Sequence, residues 1–174
     1  MVPAKRKQSR WKPGMTYAVP LVDGSFGIAQ AGEAMGDLVN VIYVALFADR
    51  FPALPTMPLP LDARTAIALS ATWRQDLNRG KWLSLTVQPE VFRRSDFPNE
   101  RFAASGYVGA THSDAGILAD FMCAYHGLVP WNVMFDPEHH DKLLRPGVNR
   151  PDQALVLSDA ERQQYRREVM GIDA

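Results

Sequence analysis

The chain predicts an α+β domain: an N-terminal curved antiparallel β-sheet or SH3-like barrel packed with C-terminal helices. Three features carry that expectation. Alternating apolar stretches on either side of an Asp23-Gly24 pair crowd the first part of the chain, and a period of two marks a half-buried strand. The run Val39–Phe47 (VNVIYVALF) is rich in β-branched and aromatic residues, which suits a strand covered on both faces. Helical spacing enters only after Ser113. The 174 residues, 47% hydrophobic and 22% charged, suffice for one self-supporting core and exclude a disordered or collagenous chain. We divide the sequence into a basic lead-in, 1–12, and a single domain, 13–174, β-rich over 13–92 and helical over 93–174.

Lys5, Arg6, Lys7, Arg10 and Lys12 form the lead-in, with Trp11 inside it and Pro13-Gly14 closing it. Thr16–Leu21 then places Tyr17, Val19 and Leu21 on one face of a strand. Asp23-Gly24 is a strong hairpin signal, because glycine tolerates the positive φ of a tight turn. The return strand carries Phe26 and Ile28 on one face, and Gly27 predicts a bulge or the close approach of another backbone. Pro20 must lie at an edge or beside the turn. Gly32–Asp37 is expected to be a turn, and Val39–Phe47 the third strand of a meander.

Four prolines between Phe51 and Leu61 exclude a helix interior or central strand. The segment predicts an extended connector pressed on the core by Leu54, Met57 and Leu59, in preference to a PxxP ligand. Thr65–Trp73 is expected as a strand, Arg74–Gly80 as a brief helical turn, and Lys81–Val87 as a half-buried strand. In the polar stretch 90–101, Phe92 and Phe97 are the anchors. Ser113-Asp114 opens a helix through Tyr125, with Ile117, Leu118, Phe121, Met122 and Tyr125 at helical spacing and Gly127 as its stop. Ser158-Asp159-Ala160-Glu161 has capping-box spacing and starts a second helix to about Val169.

No apolar leader follows the basic N-terminus, and the longest apolar run is far below the roughly 20 residues that span a bilayer. The expectation is a cytoplasmic protein with no membrane partner. The single cysteine, Cys123, excludes an internal disulfide and is expected as a small core residue. Nineteen basic residues balance nineteen acidic ones, so no whole-molecule field attracts nucleic acid. The lead-in with Trp11 could bind a single strand, but the absence of a second basic cluster with aromatics argues against that partner.

No Walker A, GxGxxG, GxSxG, HExxH or CxxC motif is present. Neither His112 with Asp114 nor His139-His140-Asp141 has the i, i+4 helical spacing of a metal pair, so no metal or cofactor is assigned. An unfamiliar hydrolase or transferase site around His112, Asp114, His126 and His139 is the enzymatic alternative. Trp131, in a segment after the first helix, is either a lid on the core or an interface anchor.

Lys12-Pro13-Gly14, Tyr17-Ala18-Val19-Pro20-Leu21, Asp23-Gly24-Ser25-Phe26-Gly27 and Gln30 follow one another in order, as do Arg79-Gly80-Lys81-Trp82 and Pro89. This succession resembles the immunity protein 26 family of bacterial polymorphic-toxin systems over roughly residues 5–92, with Met15 standing where the pattern has an acidic residue. The resemblance implies a small, non-enzymatic protein that binds the C-terminal domain of one cognate toxin and neutralises it. Were the toxin basic, Asp96, Glu100, Asp136, Glu138 and Asp141 would be its first contacts, with Trp131 as a candidate anchor.

Overall fold

The computed structural model describes residues 7–172; Lys5 and Arg6 of the lead-in lie outside them. Strands β1 (Met15–Pro20), β2 (Phe26–Met35), β3 (Leu38–Phe51), β4 (Ala66–Trp73) and β5 (Leu83–Val87) form one antiparallel sheet in the order β4-β3-β2-β1-β5. No ladder joins β4 to β5 among the described residues, so the sheet is open and does not close into a barrel. The five-residue helix α1 (Arg74–Asn78) links β4 to β5, and α2 (Ala115–Tyr125), α3 (His139–Leu143) and α4 (Asp159–Glu168) follow. The fold is α+β.

β3 explains the architecture. From Val41 to Phe47 every residue is buried, and alternation sends them to two different cores. Ile42, Val44 and Leu46 join Tyr17, Val19 and Trp82 under α2, which contributes Leu118, Phe121 and Met122. Tyr43, Ala45 and Phe47 join Ile28, Phe92 and Phe97 on the opposite face. Among the described residues no long helix lies over that face; its cover is the 3-10 turns at 94–96 and 98–105 with the connector's Leu59 and Leu61.

Gly27 marks the expected bulge, but the close neighbour is a side chain and not another backbone. The β2–β3 register shifts beside it, and a Cβ there would meet Met122 Cε at 2.3 Å. Two expectations are corrected. Gly32–Asp37 is not all turn, because β2 continues to Met35 and only Gly36-Asp37 reverses the chain. The ladder with β3 overrides the local turn signal, a register shift between Ala31 and Ala34 absorbing the irregularity. Leu54 is exposed. The connector is tied instead at Leu59, whose N–H donates to Gln88 Oε1 (3.0 Å) and whose carbonyl accepts from Gln88 Nε2 (2.7 Å).

The lead-in joins the domain earlier than residue 13. Gln8 Nε2 donates to the Leu77 carbonyl (2.9 Å), Ser84 N–H donates to Gln8 Oε1 (3.2 Å), and Trp11 N–H donates to Asn78 Oδ1 (2.7 Å). Ser158 caps α4 through the expected box with Glu161. Among the described residues, no helix is long and apolar enough to cross a membrane.

Candidate functional site

Asp96 and Glu100 line one open groove of 1020 Å³, together with Glu33, Glu90, Arg93 and Arg94; Asp136, Glu138 and Asp141 do not line it. Asp96 is exposed, and its Oδ2 accepts the Arg93 N–H (2.7 Å). Glu100 is not a free contact. Its Oε1 accepts from Tyr43 Oη (2.7 Å), Arg94 Nε (2.9 Å) and Tyr107 Oη (3.0 Å). Burial alone would raise its carboxyl, but these three bonds hold it below the ordinary glutamate range. Burial first, and then the hydrogen bond to Glu100, push the Tyr43 hydroxyl up. Glu100 therefore braces the 3-10 segment onto β3.

On the other acidic stretch, Asp136 accepts from Lys142 Nζ (2.5 Å) and from the Glu138 N–H (3.0 Å), and these bonds lower its carboxyl. Glu138 lies 3.9 Å from the same ammonium. Asp141 is exposed on α3. The five acidic candidates thus fall into two separate sets.

Trp131 is completely buried, which makes it a core lid and overturns its role as an interface anchor. Its ring packs 5.8 Å from Phe121 and 5.3 Å from His140, centroid to centroid. His140 is buried too, and no well-formed hydrogen bond reaches either imidazole nitrogen, the Trp131 backbone offering only weak help. Burial, and then the neighbouring His139, push its imidazole down to about 4.

The exposed aromatic of this segment is Phe135, whose accessibility is 90%. A loop bearing so bare a ring would ordinarily be loose, yet α4 holds this one by its carbonyls. Arg162 donates to Asn132 O (2.5 Å), to Met134 O, and to Phe135 O (2.9 Å). Arg166, itself buried, donates to Val133 O (2.7 Å). Asn132 closes the loop's base, donating to Leu157 O (2.8 Å) and accepting Leu157 N–H (3.0 Å). Charge-assisted bonds from planar guanidiniums suit this clamp, since each presents several donors in a fixed fork. Leu155 and Val156, on the neighbouring segment, are half exposed. The sequence did not place Trp131 inside, because the rings that close around it, Phe121 and His140, come from two separate helices, α2 and α3.

His139 and His140 adjoin on α3, their ring centroids 5.7 Å apart. His112 packs edge-on against Trp73 (4.2 Å between centroids), and the half-buried His126 lies beside Tyr125. None of the grooves described is lined by a histidine. Among the described residues, no group of three or more His, Cys, Asp or Glu could hold a metal ion. Cys123 is buried, which pushes its thiol up and away from nucleophilic chemistry.

Fold and site together define an α+β domain with an open five-stranded sheet and a clamped loop carrying a bare aromatic. Compared with protein families, curated proteins and solved structures, the chain matches none of them.

Proposed function

We propose that this chain is an immunity protein that binds the C-terminal domain of one cognate bacterial toxin and blocks it by direct contact. The observation that carries the reading is Phe135, fully presented to solvent on a loop whose carbonyls are fixed by Arg162 and Arg166. Aromatic residues, phenylalanine among them, are enriched in interface cores, and a ring held in place before binding loses little freedom on association. The resemblance of residues 5–92 to the immunity protein 26 family points the same way. Asp136, Glu138 and Asp141, close to Phe135 in sequence, offer a negative rim to a basic toxin, whereas Trp131 and Glu100 serve the fold.

The experiment pairs the chain with the C-terminal domain of the large secreted toxin that this proposal expects to be encoded immediately upstream of its gene. Co-expression should restore growth, and the two should co-purify. Phe135→Asp, which removes no buried contact, should abolish both while leaving the melting temperature unchanged. Failure of the wild-type chain to protect or to co-purify would refute the proposal.

A further inference from the structure

A second basic cluster, dispersed in linear order, gathers around α1. The mouth is a concavity of 510 Å³ lined by Arg10, Arg74, Arg79, Trp73 and the amides of Asn40 and Asn78, with no carboxylate in its wall. Among the described residues, none of the three arginines has an acidic partner. Tertiary contacts assemble it. Trp11 N–H donates to Asn78 Oδ1 (2.7 Å), docking the lead-in against α1 with Arg10 beside it. Arg74 donates to Asn40 Oδ1 (3.1 Å), tying α1 to the start of β3 and leaving its other donors open. Trp73 is half-buried, its ring backed edge-on by His112.

Three guanidiniums without an acidic partner surround one concavity and match the oxygens of phosphate groups, which such forks can bind bidentately. The volume is that of an ordinary small-ligand site and exceeds what one phosphate fills. Exposed Lys7 and Lys12 flank Arg10 in sequence and prolong the positive charge beyond the mouth. An indole beside a cationic track is the arrangement on which bases stack without regard to sequence. We propose that this groove binds phosphate-bearing ligands, and single-stranded nucleic acid in preference to a free nucleotide. The site is separate from the Phe135 loop, so its fate and that of the toxin-binding proposal are independent.

The test titrates the full chain into a fluorescent oligothymidylate of roughly 12 nucleotides and, separately, into uridine monophosphate, at about 50 and about 200 mM salt. With three phosphate contacts, the logarithmic salt slope for the oligonucleotide should be about −2, a loss of about 20-fold across that range. Exchanging both exposed arginines, Arg10→Ser with Arg79→Ser, should weaken binding at low salt by about tenfold or more. It should bring the slope toward about −0.7 with the melting temperature kept; each single change, read alongside, guards against a double variant that fails to fold. Mononucleotide binding as tight as the oligonucleotide's would overturn the strand preference. Absence of saturable binding by either probe at low salt, or an affinity and slope indifferent to the arginine changes, would overturn the site.

Discussion

Between the rings of Phe121 and Trp131, the His140 imidazole meets no carboxylate that could compensate a proton. Its charged neighbours are His139, which opposes protonation, and Asp141, which favours it weakly. The folded imidazole is held near about 4, against 6.5 for the free group, so the unfolded chain takes up the proton first. The associated stability is complete above pH 6.5 and is lost as pH falls toward 4. Between pH 7 and pH 5 the loss is about 2 kcal/mol. Urea unfolding should show it in the wild type, and His140→Phe should lose markedly less over the same interval; equal losses would contradict the assignment. A second prediction concerns Gly127, whose φ of +70° and distance of 2.6 Å from a virtual Cβ to Gln153 O permit no side chain. Gly127→Ala combines left-handed strain with a backbone clash and should cost about 2 kcal/mol or more in the same assay.

Helix α4 is the element whose role departs most from pattern. Its capping box was legible in Ser158 and Glu161, but its inward face consists of arginines bonded to the carbonyls of residues 132–135. Arg162→Leu leaves the carbonyls of Asn132, Met134 and Phe135 without their donor, while Arg166 still holds Val133. The altered chain should be cut by protease near Phe135 at a rate that the wild type resists, with the sheet's thermal transition little changed. The strands were legible where one physical demand acted alone: β3 because two covered faces require an unbroken apolar run, and Gly27 because a strand glycine needs a bulge or a close neighbour. Legibility failed where a distant element decided. β2 crosses Gly32 because β3 supplies the ladder, and Glu100 became a brace because Tyr43 and Tyr107 reach it from elsewhere. The basic groove needed Arg10 and Arg79 to meet across nearly seventy residues.

On the scale of the whole molecule, zero net charge coexists with local polarity: an arginine groove beside α1, an acidic stretch at 136–141, and a bare aromatic held by α4. A core closed on both faces of the sheet gives these surfaces a fixed geometry, and complementarity to one partner is what such geometry serves. On the proposed reading the chain acts by contact through the Phe135 loop. Isothermal titration of the intact chain against the purified toxin domain tests it most directly. The expected result is a one-to-one complex with a Kd of about a micromolar or tighter, lost in Phe135→Asp at unchanged fold. A folded wild-type chain that gives no heat with that domain, or a Phe135→Asp variant that binds as tightly as the wild type, would contradict it.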